Sequence, residues 1–172
     1  DIEAMPKTPA DPNGVLNGCI RVVKNAPTDA DGLNRIGLGY LSGDDLDQDY
    51  AKALTWINAA IDAGNASAVN TLGFMYVNGY GVARDKEKAF SYFKQAAEKS
   101  DINACLNVAL CLDGGIGTEQ NKKEAVPWYE KAAEIGNALA QYDLAVIYAA
   151  GETVPENPEA AFRWMGKASE AG

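Results

Sequence analysis

The chain has 172 residues, 47 % of them hydrophobic, enough apolar material for a folded domain and too much for a disordered one. Against 15 basic residues stand 24 acidic ones, a net charge of −9, so the surface repels phosphate backbones and anionic lipid; neither nucleic acid nor membrane insertion is expected. Histidine is absent, which removes the commonest general base and the commonest metal ligand.

Residues 1–28 come first. Pro6, Pro9, Pro12 and Gly14 predict a tail over Asp1–Asn13. Val15–Asn25 reads as the second helix of a degenerate preceding unit, a half-repeat or cap, because Ile20 stands 36 residues before Trp56 and Lys24 stands 36 before Ala60. The first residue is Asp1, which points to an upstream segment having been removed. No signal-peptide pattern opens the chain, and no apolar run reaches the roughly 20 residues of a membrane helix. A soluble protein is expected, with periplasmic, secreted and cytoplasmic locations all open.

From residue 29 a unit of 36 residues recurs four times, over 29–64, 65–100, 101–136 and 137–172. Gly43, Gly79, Gly115 and Gly151 keep this step, as do Ala53, Ala89, Ala125 and Ala161. So do the aromatics Trp56, Tyr92, Trp128 and Trp164, and the small series Ala60, Ala96, Ala132 and Ala168. Four copies without a change of length predict an all-α array of antiparallel helix pairs, not a single-core globule.

Within each unit the first helix starts at a cap residue, Asp29, Asn65, Asp101 or Asn137, whose side-chain oxygen can accept from a free backbone N–H. Ala68, Leu72 and Tyr76 then share one face. The small residues Gly37, Gly73, Ala109 and Ala145 predict close approach of a neighbouring helix. The Gly79–Gly81 pair predicts a helix stop and turn; the lysine and strand of a phosphate loop are missing. The second helix starts at Asp49, Asp85, Asn121 or Asn157, with a capping box between Asn121 and Glu124 and proline favourably placed at Pro158. Its apolar stripe in the second copy is Ala89, Tyr92, Phe93, Ala96 and Ala97. Gly64, Gly136 and Gly172 end it, with Ser100 the exception, and Pro127 should bend its third copy. Cys19, Cys105 and Cys111 are odd in number; the last two, six apart on one helix, point to different sides and are expected to be small buried hydrophobes.

The pattern resembles the Sel-one-like repeat (SLR) family, relatives of the tetratricopeptide repeat. The second copy supplies Ala68, Leu72, Gly73, Tyr76, Gly79, Gly81, Val82, Asp85, Lys88, Ala89, Tyr92, Ala96 and Ala97. Departures are local: Gly43-Asp44-Asp45-Leu46 and Gly151-Glu152-Thr153-Val154 replace the glycine loop, and Leu112 stands where tyrosine is usual. The resemblance implies a right-handed α-solenoid. It also implies roles such as bacterial signalling or envelope regulation, host interaction, or immunity (antitoxin) function against a secreted effector. A disulfide-rich subgroup, some of whose members interact with β-lactams, carries cysteine pairs eight apart; this chain lacks them.

In arrays of this kind the first helices line the concave side. Helical spacing places Asn34, Asn70, Leu106 and Tyr142 there, with Arg35, Thr71, Asn107 and Asp143 beside them. The next turn offers Leu38, Phe74, Leu110 and Val146, which serve equally as core; Phe74 and Tyr142 suit aromatic anchors. A Ser-His-Asp arrangement is impossible, and nothing singles out Ser42 or Ser91 as a nucleophile. Asp44, Asp45, Asp47 and Asp49 lack the glycine and glutamate of a calcium loop. The expected function is therefore a non-enzymatic adaptor, without cofactor or metal, that binds a partner protein or peptide with a basic surface in its groove. Phe162, Trp164 and Met165 on the last helix are expected to be partly exposed, leaving end-to-end self-association open.

Overall fold

The structure is a computed structural model that describes residues 29–171 apart from Asp45; the expectations for residues 1–28, Cys19 included, lie outside these. Eight α-helices and no strand are present among the described residues. They are α1 Ala30–Ser42, α2 Tyr50–Asp62, α3 Ala66–Asn78, α4 Lys86–Glu98, α5 Ile102–Gly114, α6 Lys122–Ile135, α7 Ala138–Ala150 and α8 Pro158–Ala171. The chain divides into two compact units, Asp1–Arg84 and Asp85–Gly172. In the first, α1 packs on α2 and α2 on α3. In the second, each helix from α4 to α8 packs on the next in the chain.

The helices begin where side chains can satisfy free N–H groups. Asp29, Asn65, Asp101 and Asn137 accept from the N–H three residues on, at 2.7–3.1 Å, and Asp49, Asp85, Asn121 and Asn157 do the same for the second helices. Each such cap is worth about 1 kcal/mol. At Asn121 the box closes between side chains, with Asn121 Nδ2 donating to Glu124 Oε2 at 3.1 Å. Helix α6 continues through exposed Pro127, which removes only the bond to the Lys123 carbonyl.

Packing follows the alternation of small and large residues. Ala53, Ala60, Ala89, Ala96 and Ala132 have no exposed surface, and Trp56, Phe93, Tyr129 and Trp164 are buried around them. Tyr92 and Trp128 are half-buried. On the first helices Gly37 does what its size suggests: a Cβ there would stand 2.6 Å from Ile57 Cδ1 and 3.2 Å from the Ile57 backbone nitrogen. Cys105 and Cys111 are buried free thiols, and burial pushes the Cys111 thiol up to about 11. Trp164 is buried as well, which corrects its expected exposure; Phe162, at 84 %, and Met165 are exposed.

The loops are closed by a recurring bond. The N–H of the second helix's cap residue donates to the carbonyl nine residues earlier, in Asp49 to Tyr40, Asn121 to Leu112 and Asn157 to Tyr148, at 2.7–2.9 Å. Gly81 and Gly117 hold φ of +69° and +68° and also touch the preceding repeat. A Cβ on Gly81 would lie 2.8 Å from the Tyr50 carbonyl oxygen, and one on Gly117 would overlap the Lys86 carbonyl. Gly136 holds +107°, but a Cβ there would meet open space. Gly117→Ala should therefore cost at least about 2 kcal/mol, more than Gly136→Ala, where backbone strain of roughly 1–2 kcal/mol stands alone. Urea unfolding of both variants checks the order.

Ser100 occupies the position of Gly64 and Gly136 and adopts φ +62° despite its side chain. Relief of about 1–2 kcal/mol of strain, less the extra chain entropy of glycine, predicts that Ser100→Gly stabilises by about 0.5–1 kcal/mol. Calorimetry should show a melting temperature about 2 °C higher.

Candidate functional site

The fixed caps set the rotational phase of every first helix, so equivalent residues hold the same position on their own helix in each copy. Counting from the cap, the second, sixth, ninth and thirteenth residues form the outward stripe: Asp31, Arg35, Leu38 and Ser42 are exposed on α1. Its apolar member recurs in every repeat. Leu38 and Phe74 are exposed in the first unit, Leu110 and Val146 in the second, with Phe74 at 46 %.

The residues expected at the site divide by depth. Arg35, Phe74 and Tyr142 are exposed, Tyr142 at 50 %, and Asn70, Asn107 and Asp143 are half-buried. Asn34, Thr71 and Leu106 are buried and offer little surface to a ligand. The fifth position lies to one side of the stripe, by roughly 65° at 3.6 residues per turn. A long side chain such as Tyr142 reaches out from there; a short one such as Asn34 does not. Thr71 Oγ1 donates to the Ser67 carbonyl at 3.0 Å, and the buried Asn34 Oδ1 has no hydrogen-bond partner. Sequence reasoning left Leu38, Leu110 and Val146 undecided between surface and core; the i, i+4, i+7, i+11 spacing from the second helical residue is the signal that resolves them.

Beside this stripe the first unit holds a cavity of about 550 Å³, lined by Arg35, Leu38, Asp44, Tyr50, Phe74 and Tyr80 among others. Tyr50 and Tyr80 stack with centroids 4.7 Å apart, and Phe74 meets Tyr80 edge-on at 5.9 Å.

In the second unit, burial and the nearby Asp113 carboxylate push the pKa of Asp143 up. Burial, with both of these carboxylates, also pushes the Tyr129 hydroxyl up. Neither aspartate has an ion-pair partner among the described residues, where the one ion pair is Lys52 to Asp49 at 3.1 Å. Tyr148 donates to Glu130 Oε1 at 2.6 Å, and this bond, ahead of burial, pushes its hydroxyl up to about 12. No group of three or more His, Cys, Asp or Glu side chains suited to a metal is found among the described residues. No described helix is long and apolar enough to cross a membrane.

Capped helix pairs, stacked in chain order and repeated at one fixed length, define an all-α repeat protein of the α-solenoid class. The chain belongs to the Sel1 repeat family, whose model matches residues 30–65, 66–101, 102–137 and 138–172. A Sel1 repeat protein from Oxalobacter formigenes is similar at 28 % identity and TM-score 0.81, over 93 % of this chain and 68 % of that one. A protective antigen of uropathogenic Escherichia coli with an SLR fold shows 30 % identity and TM-score 0.81, over 91 % of this chain. This chain spans only 33 % of that antigen's length. Cysteine-rich protein B of Helicobacter pylori shows 25 % identity and TM-score 0.61, over 76 % of this chain and 96 % of that one. The comparison with curated proteins gave no match. Sel1 repeats generally mediate protein–protein interaction on a scaffold without catalytic machinery.

The raised pKa of Asp143 makes folding stability depend on pH with a definite sign. Its charged form is disfavoured on folding, so it costs stability at neutral pH, and the cost disappears as pH falls below its ordinary value of 3.8. Asp143→Asn should raise the melting temperature at pH 7, and the gain should vanish near pH 3; melting curves across that range check both.

Proposed function

We propose that the chain is a non-enzymatic adaptor that holds a partner protein or peptide with a basic surface along the outward stripe of its first helices. One observation carries this reading. An apolar side chain, Leu38, Phe74, Leu110 or Val146, is exposed at the same place in all four repeats. Single exposed apolar residues are ordinary, but one at the same position of every repeat makes a recurring contact point. Arg35, Asn70, Asn107, Tyr142 and Asp143 flank these positions and supply hydrogen bonds and charge. Asn34, Thr71 and Leu106 act from beneath as support. Phe74 and Tyr142 are the anchors, since aromatic side chains carry the largest share of interface energy. The charge of −9 favours a basic partner, through faster encounter more than through tighter holding.

Affinity capture from native lysate with immobilised chain tests the reading. Combined Phe74→Ala and Tyr142→Ala should weaken capture at least tenfold, since one anchor is worth about 2 kcal/mol and 1.4 kcal/mol is a factor of ten. Melting should stay as in the parent, because both side chains are half-exposed. Capture should weaken as salt rises. Undiminished capture by the double variant overturns the assignment of this face.

A further inference from the structure

The cavity of the first unit has two unlike sides. Its loop side is negative for two separate reasons. The exposed Asp44 carboxylate has no ion-pair partner among the described residues. Helix α1 stops beside it at Ser42 with no basic residue in its last turn, so the carbonyl end of its dipole adds to the negative side. Gln48 Nε2 is spent on the Leu41 carbonyl at 3.0 Å, which leaves its Oε1 to accept. The wall above is aromatic and fixed: Phe74 packs edge-on to Tyr80, and Tyr80 is held against Tyr50. Leu38 gives the lining an apolar side, and Arg35, one turn earlier on the same helix, lines it too. Arg35 stands seven residues before Ser42, roughly 10 Å along the helix axis, and makes no ion pair with Asp44.

We propose that this cavity takes an arginine side chain of the partner, its stem along Leu38 and its guanidinium on the Phe74 ring beside Asp44. A planar guanidinium stacks on an aromatic face and donates in-plane to carboxylate and amide oxygens at once. An ammonium meets the charge but not the flat ring, and an uncharged apolar side chain leaves the negative side unanswered. That the arginine comes from a protein rests on the adaptor reading; the chemistry of the cavity does not.

The test needs no partner. The full chain, labelled with nitrogen-15, is titrated with N-acetyl-arginine amide, its lysine analogue and the uncharged citrulline analogue. The arginine probe should give saturable shifts at the amides of Ser42, Asp44, Phe74 and Tyr80, with a Kd of about 1–10 mM, in the range for so small a ligand. Lysine and citrulline should bind at least about fivefold more weakly. Asp44→Asn should weaken arginine binding about fivefold, the upper end for an exposed ion pair. Asp44 lies in an exposed loop, and a melting curve verifies that the variant is folded. Phe74→Leu keeps the apolar bulk and should weaken arginine more than lysine. Equal binding of citrulline, shifts centred elsewhere, or indifference to Asp44→Asn would each overturn the proposal while leaving the adaptor reading intact. Failure of the capture experiment with a positive titration would remove the adaptor and keep the cavity.

Discussion

The constraint on which the rest depends is backbone meeting backbone. Gly81 rests on the carbonyl of Tyr50, and Gly117 on that of Lys86, at separations no side chain permits. In both places a loop of one repeat touches the first turn of the second helix in the repeat before it. Positive φ turns the chain back after α3 and α5, and the absence of Cβ lets it settle. The Tyr50–Tyr80 stack and the aromatic side of the cavity follow from that contact, because they sit on either side of it. The fourth copy has Thr153 at the equivalent position, so this means of register belongs to the second and third copies.

Much of the fold was legible because its rules are local. Caps, helix stops and small residues act within one turn, and all eight cap residues accept the bond that their type suggests. Even the departure at Ser100 was visible as a missing glycine, though not its consequence, a left-handed serine. The binding face was harder to read. Asn34 and Leu38 both look surface-compatible by periodicity, yet the asparagine is buried and the leucine open. Exposure on a helix packed from two sides depends on neighbours a full repeat away. The cavity was illegible for the same reason: Asp44 and Tyr80 are 36 residues apart and meet only after the loops close.

Charge contributes little to holding this molecule together. One ion pair joins the described residues, and the ties between repeats use neutral acceptors or an amide: Asn65 Nδ2 donates to Asp31 at 2.7 Å, Lys131 to the Ala97 carbonyl at 2.9 Å, Gln141 to the Ala133 carbonyl at 3.0 Å. Interlocking alanines and aromatics supply the cohesion, each buried methylene worth about 0.8 kcal/mol. Acidic residues outside these ties and the helix caps, such as exposed Asp44, can serve recognition without endangering the frame.

The two thiols at Cys105 and Cys111 give this design a further property. Both are shut away from solvent, and with its pKa raised by burial Cys111 contributes almost no thiolate at neutral pH. Peroxide and glutathione react with the anion, so these sulfurs are poor targets for either. The packing of this stretch of chain therefore needs no disulfide and responds little to the redox poise of its surroundings.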